Sequence, residues 1–112
     1  MDYNFFVSQT GAKDRLRRNQ PAWKTNYLQV LNSYQNYLQT NLAITRAPVI
    51  IGHHFSLWND GLYWQALQDF ASQNCQKPNV YCISFKDLFQ YLENHPEINA
   101  DVPPALLRQP QP

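Results

Sequence analysis

The chain has 112 residues, of which 44% are hydrophobic and 15% charged, and its formal net charge is +1. This length allows one small domain, and the composition excludes a coiled coil and a charged disordered tail. The small net charge removes the main electrostatic argument for nucleic-acid binding, although five of the nine basic residues cluster between Lys13 and Lys24. We expect no membrane span, because the longest apolar run, Ala47 to Ile51, is short and contains a proline. We expect no signal peptide, because the amino end lacks a basic segment followed by an apolar one.

The amino-terminal part of the chain predicts one strand and one long helix. Met1 to Ser8 is aromatic and β-branched, which favours a strand, and a turn is expected near Gly11. A basic loop covers Lys13 to Gln20. From Pro21 to Leu42 the apolar residues recur at spacings of three and four, which predicts a helix of about five to six turns.

The second part of the chain predicts two further strands, each followed by a helix. Pro48 to His54 is an apolar run that ends in polar groups, as in a strand buried on both faces. After a turn at 59–61, apolar residues from Tyr63 to Ala71 predict a second helix. Val80 to Ser84 is the third strand candidate. Ser84 has the capping-box spacing to Asp87, so a third helix should begin there.

This order of elements predicts an α/β fold. Right-handed crossovers would give about three parallel strands with three helices packed against them. Residues 1–95 would form this unit, and the proline-rich residues 96–112 would form a loosely packed tail. Such a small sheet has two exposed edges through which the chain could associate, so it resembles a part of something larger.

The two cysteines leave two alternatives open. Cys75 and Cys82 are too few for a four-ligand zinc site and have the wrong spacing for a CxxC redox pair. Because they flank a short turn, they could form a disulfide, which would indicate an oxidising compartment. The alternative is a pair of buried thiols that act as small hydrophobic groups.

Chemistry is expected at the carboxyl end of the second strand, where two histidines lie. Alternation along a strand places His53 on the same face as Val49 and Ile51. A histidine that acts as an acid or base needs a carboxylate that fixes its tautomer, and only Asp2 and Asp60 are plausible partners. The alternatives are a structural, hydrogen-bonded histidine and a turn carboxylate at Asp60.

Aromatic residues crowd the segment that follows the histidines. Phe55, Trp58 and Trp64 all lie within ten residues of His54. Aromatic rings in such a loop suit the apolar faces of sugars, or they cover the core. Trp58 is the better candidate for a ligand surface, whereas Trp64 is expected to pack as part of its helix.

The stretch from Arg46 to Leu67, RAPVIIGHHFSLWNDGLYWQAL, resembles the carboxyl-terminal part of bacterial polysaccharide deacetylases of the NodB-homology group. The likeness extends from about Met1 to Leu92 and includes both cysteines that follow the stretch. Its distinctive part is the string GHHFSLWN at 52–59. The resemblance implies an incomplete (β/α) barrel that hydrolyses N-acetyl groups on a glycan with a divalent metal such as zinc.

The resemblance also implies roles for individual residues. The family has a strand that ends in a histidine, which protonates the departing amine, and here this motif matches His53, with His54 as the alternative register. An aspartate that orients this histidine and an aromatic residue that lines the acetyl pocket match Asp2 and Tyr3, although the family usually has tryptophan at the latter position. Phe55 and Trp58 would lie near the sugar.

One part of the family's pattern is missing from this chain. The family's metal site uses an Asp-Asp pair and a His-x-x-x-His motif, and the sequence contains neither, so no metal ligand is assigned. We therefore expect the carboxyl-terminal part of a deacetylase that is inactive alone. The metal, the polysaccharide substrate and export to the cell envelope would belong to full-length relatives. The alternative is a noncatalytic carbohydrate- or protein-binding module.

Overall fold

The described part of the chain is helical and contains no strand. A computed structural model describes residues 1–96. Its α-helices are α1 (Asp2–Thr10), α2 (Pro21–Thr40), α3 (Trp58–Asn74) and α4 (Phe85–Asn94). A π-helical turn, Asn41–Thr45, follows α2 directly. The chain divides into a compact unit at Met1–Val80, which holds α1 to α3, and a second unit that begins at Tyr81 and holds α4.

The predicted α/β fold with three parallel strands, and with it the (β/α) barrel fragment, is therefore wrong. None of the three predicted strands forms, so the expected association through sheet edges has no edge to act through in residues 1–96. The predicted tail lies, from residue 97 onward, outside the described residues. Residues 1–96 contain no helix that is long and apolar enough to cross a membrane.

The first predicted strand is helix α1. Its buried residues are Asp2, Phe6 and Thr10, and a spacing of four places them on one face of a helix. The helix ends at Gly11, which has a left-handed φ of 63°, and the N–H groups of Gly11 and Ala12 bind the carbonyls of Val7 and Phe6. The aromatic composition favoured a strand, but the buried residues recur every four positions, which is the spacing of a helix and not of a strand.

The second predicted strand is an extended segment without a ladder. Along Pro48 to His54, alternate residues are partly buried, and Val49 and Ile51 pack against the core. The prediction that His53 shares their face is confirmed, since His53 is partly buried and His54 is exposed. The alternation therefore arises from packing on helices and requires no neighbouring strand.

The predicted helices are confirmed. The core of the first unit is formed largely by α2 and α3, with Val30, Leu62 and Ala66 completely buried. Burial of each large aliphatic side chain stabilises the fold by about 1.5 to 3 kcal/mol. In the second unit, Ser84 caps α4, because its hydroxyl accepts a hydrogen bond from the Asp87 N–H at 3.2 Å.

The disulfide alternative is also decided. Neither cysteine is free, and Cys75 and Cys82 are both disulfide-bonded. The sequence left a disulfide and buried thiols open, and the structure favours the former. Disulfides persist in oxidising compartments.

A buried asparagine fixes the start of α3. Asn59 is fully buried and has a left-handed φ of 52°. Its side-chain oxygen accepts from the N–H groups of Arg15 and Leu16 at 3.0 and 3.1 Å. Its amide nitrogen donates to Thr10 and Tyr63. The indole of Trp23 donates to its carbonyl at 2.7 Å. These bonds join α1, the basic loop, α2 and α3 at one point.

We expect Asn59→Ala to lower the free energy of unfolding by about 3 kcal/mol, because it leaves buried donors and acceptors unpaired and places alanine at a left-handed φ. Urea unfolding followed by circular dichroism measures this change. Asn36→Ala is the matched control, since Asn36 is exposed on α2, and its effect should stay within about 0.5 kcal/mol. Equal effects of the two substitutions would contradict the role assigned to Asn59.

Candidate functional site

The site is built around the carboxylate of Asp2. This residue opens α1, and its side chain is only 1% exposed. Oδ1 lies 2.8 Å from the imidazole Nδ1 of His54, and Oδ2 accepts the main-chain N–H of His54 at 2.8 Å. Oδ1 also accepts the N–H of Tyr3 at 2.8 Å. The carboxylate thus binds a residue that is 52 positions away in the chain.

These hydrogen bonds keep Asp2 ionised. Burial acts to raise the pKa of the carboxyl, but the hydrogen bonds from the side chain and main chain of His54, the positive charge that His53 can carry, and the N–H of Tyr3 outweigh it. The pKa of Asp2 therefore lies below its usual value of 3.8. An ionised carboxylate only accepts, so the Nδ1 of His54 carries a proton and donates it.

This arrangement leaves the other ring nitrogen of His54 available for chemistry. The His54 side chain is 61% exposed, in contrast to the buried carboxylate that holds it. With Nδ1 fixed as a donor, Nε2 can accept a proton and give it up again. A carboxylate that orients an exposed imidazole is the usual arrangement for a general acid or base.

His53 has a different environment. Its Nε2 lies 2.6 Å from the hydroxyl of Tyr34, and its Nδ1 is buried with no hydrogen-bond partner in the described chain. Burial lowers the pKa of His53 below 6.5, the amino group of Met1 and His54 lower it further, and the charge of Asp2 opposes them without cancelling the shift. Burial also raises the pKa of Tyr34. His53 is therefore a neutral residue that packs against α2.

The structure thus places the predicted residues differently from the expectation. Asp2 was predicted to orient His53, with His54 as the alternative register, and the hydrogen bond is made to His54. The other candidate carboxylate, Asp60, accepts the main-chain N–H of Arg18 at 2.8 Å and so serves the loop. Asp60 is therefore the turn carboxylate that the sequence analysis gave as its alternative role, and Asp2 binds a histidine as predicted, although that histidine is His54.

Two aromatic rings flank the imidazole of His54. The ring centroids of Tyr3 and Trp58 lie 6.1 and 5.2 Å from that of His54. Tyr3 is 49% exposed. Trp58 stacks on Phe6 with centroids 4.5 Å apart, so one face of its indole is covered. Tyr3 therefore has more exposed ring surface for a ligand than Trp58. The sequence analysis had favoured Trp58 as the ligand surface.

Phe55 and Trp64 form a second aromatic pair. Phe55 is fully exposed, and its ring is within 15° of parallel to that of Trp64. The indole N–H of Trp64 donates to the carbonyl of His54 at 2.8 Å. The sequence predicted Trp64 as a packed residue, and it is partly buried, with its ring against Phe55 and edge-to-face with His53. It lies outside the core cluster of the first unit.

The described residues do not fit the divalent metal that the resemblance implies. Within residues 1–96, no group of three or more His, Cys, Asp and Glu side chains could hold a metal ion. Asp2 and His54 are two such side chains, and Asp2 already uses both oxygens in hydrogen bonds. A catalytic zinc generally needs three protein ligands.

Comparison with known proteins identifies no relative: no family model, no curated protein and no solved structure matches the chain. The likeness to polysaccharide deacetylases is therefore a prediction made from the motif residues. Functional conclusions depend on those residues and on the geometry around Asp2.

The lowered pKa values of His53 and Asp2 predict how stability depends on pH. For His53, the native pKa is lowered from 6.5, so the native state resists protonation and stability falls as the pH drops from 6.5 toward the native pKa. For Asp2, the native pKa is lowered from 3.8, so its contribution is complete above pH 3.8 and is lost as the pH falls through the native value.

Urea unfolding between about pH 3 and pH 8, a range that brackets the usual pKa values of both groups, should show a loss of stability from each as the pH falls. We call the loss from His53 the upper step. His53→Gln retains a polar side chain beside Tyr34 but cannot titrate, so the upper step should shrink in this variant. An unchanged upper step would exclude His53 as its source.

Proposed function

We propose that this chain supplies the histidine side of a polysaccharide deacetylase site, where His54 transfers a proton during hydrolysis of N-acetyl groups on a glycan. The observation that carries the proposal is the hydrogen bond from an exposed imidazole to a buried carboxylate. The resemblance supports it in part. It assigns an orienting role to Asp2 and the acid role to His53, with His54 as the alternative register.

The chemistry of amide hydrolysis explains what this pair would contribute. Water adds to the acetyl carbon, the C–N bond breaks, and acetate and a free amine form. The departing nitrogen needs a proton, because an amide anion is a very poor leaving group. His54 in its protonated form donates the proton from Nε2, while Asp2 holds Nδ1–H and stabilises the imidazolium charge.

The proposal covers proton transfer and contact with the glycan. Activation of the water molecule is a separate requirement, and residues 1–96 offer no group of side chains for the metal that performs it in the family. We therefore expect the chain alone not to hydrolyse an N-acetylated oligosaccharide. The polysaccharide deacetylase activity would require a metal-binding part from outside the described residues.

The aromatic residues near His54 provide the contacts with the sugar. Tyr3 lies beside the imidazole and is half exposed, which suits the acetyl-lining role that the resemblance implies. Phe55 and Trp58 follow the histidine in the same segment. Aromatic rings contact the C–H faces of sugar rings through dispersion and burial of apolar surface.

A second candidate function is noncatalytic binding of carbohydrate. The specific observation in its favour is the exposure of large apolar side chains in the segment after His54, where Phe55 is 100% and Leu57 72% exposed. Exposed apolar patches commonly mark binding surfaces. This candidate needs no proton transfer, so the two functions differ in their dependence on His54.

An activated ester separates them, because its good leaving group needs neither a metal nor a proton, and hydrolysis then reports whether the His54 imidazole can transfer a proton, here by taking one from the attacking water. The chain has three histidines. We expect it to hydrolyse p-nitrophenyl acetate above the buffer rate and His54→Ala to reduce this rate by about tenfold to a hundredfold. Asp2→Asn should also reduce it, since the amide no longer fixes the same tautomer. Release of p-nitrophenolate measures each rate.

His53→Gln and His95→Gln are the matched controls, and both should retain the rate because neither histidine has a carboxylate partner among the described residues. Circular dichroism confirms that each variant folds. If His54→Ala hydrolyses the ester as fast as the unchanged chain, proton transfer by His54 is rejected and the binding function remains.

A further inference from the structure

Positive charge is concentrated in residues 13–24 of the first unit, which we call the cationic segment. It contains five basic residues and a single acidic one, Asp14, and the next acidic residue in the sequence is Asp60. The five basic residues are all exposed, and they are Lys13, Arg15, Arg17, Arg18 and Lys24. Because the net charge of the whole chain is only +1, this short segment is far more positive than the rest.

Two of these basic residues have partners within the fold. The guanidinium of Arg17 donates to the carboxylate of Asp14 at 3.1 Å. The guanidinium of Arg18 lies over the ring of Trp23, 4.6 Å from its centroid, and donates to the carbonyl of Asp60. These contacts give both arginines a structural role in holding the cationic segment against α2 and α3.

The other three basic residues have no such role. The side chains of Lys13, Arg15 and Lys24 form no hydrogen bond, ion pair or ring contact within residues 1–96. Lys24 lies in the first turn of α2, where the helix dipole disfavours a positive charge. The stability of the fold therefore does not account for these three charges, and all three are available to a partner.

The backbone that carries these charges is held in place. The main-chain N–H groups of Arg15 and Leu16 donate to the buried side chain of Asn59, and that of Arg18 donates to the carboxylate of Asp60. The side chain of Leu16 is buried in the core. A partner would thus meet charges on a preorganised loop, and little backbone entropy would be lost on binding.

The arrangement of the charges selects among anionic partners. Leu16 is the single apolar residue between Lys13 and Gln20, and its burial leaves that loop without an exposed apolar side chain to enter a bilayer. Asp14 lies among the cations and would repel a nucleic acid, whose backbone is charged at every nucleotide. An acidic peptide has separate carboxylates with neutral groups between them, so it can pair with the cations and avoid Asp14.

We propose that the cationic segment binds an acidic peptide segment of another protein, whose carboxylates pair with Lys13, Arg15 and Lys24. Lysine and arginine at an exposed rim chiefly speed association and make it dependent on salt. This interaction goes beyond the proposed function, because it needs neither His54 nor a glycan.

Binding of a fluorescein-labelled deca-glutamate peptide to the full chain tests the proposal, with fluorescence anisotropy as the readout. The peptide should bind, and its affinity should fall as the salt concentration rises from about 0.01 M to 0.1 M. The triple variant Lys13→Gln, Arg15→Gln, Lys24→Gln should bind about tenfold more weakly, because it removes all three available cations. The three residues are exposed, so the core remains intact.

The triple variant Arg46→Gln, Lys77→Gln, Lys86→Gln is the matched control, since it removes the same amount of charge from exposed residues outside the cationic segment. It should bind nearly as tightly as the unchanged chain, and circular dichroism checks that both variants fold. No binding at the lower salt concentration, or an equal loss in the two variants, would overturn the proposal. A labelled oligothymidylate of equal length that binds more tightly than the peptide would overturn it in favour of nucleic acid.

Discussion

The arrangement of the first unit depends on one buried charge. A carboxylate that is 1% exposed loses nearly all its hydration and is tolerated only when hydrogen bonds replace it. Here the replacements are two main-chain N–H groups and one imidazole, contributed by Tyr3 and His54. The start of α1 is thereby tied to the segment after residue 52, and a negative charge lies in the first turn of a helix, where the helix dipole favours it.

The same constraint gives two adjacent histidines opposite properties. Alternation of an extended chain turns His53 toward Tyr34 and His54 toward solvent, and Asp2 captures the outward ring. Desolvation keeps His53 neutral, and its buried Nδ1 has no hydrogen-bond partner among residues 1–96, so protonation there is unfavourable. His54 has the carboxylate and the exposure that proton transfer requires. The two residues have the same side chain, so only their environments give them different roles.

The sequence predicts those elements whose apolar residues recur at regular helical spacing, which are α2, α3 and α4. It mispredicts α1 because two of the three residues on its buried face, Asp2 and Thr10, are polar and count as surface positions in any hydrophobic pattern. Their burial depends on His54 and Asn59, which lie more than 40 positions away. The site was predictable to a similar extent. Alternation along the extended segment identified His53 as the inward-facing histidine, but it could not identify the partner of Asp2, which depends on which imidazole faces α1.

The segment between His54 and Asn59 combines fixed ends with an exposed middle. Asp2 binds one end, and the fully satisfied side chain of Asn59 fixes the other. Between them lie Phe55 and Leu57, whose side chains have little packing of their own. A surface held in this way loses little conformational entropy when a ligand binds, which is the physical basis of preorganisation. Because both anchors are polar and buried, a substitution at either end would shift the backbone that carries Phe55 and Leu57. The stability of the fold and the position of these two exposed side chains are therefore coupled most strongly at the ends of this segment and least at its middle.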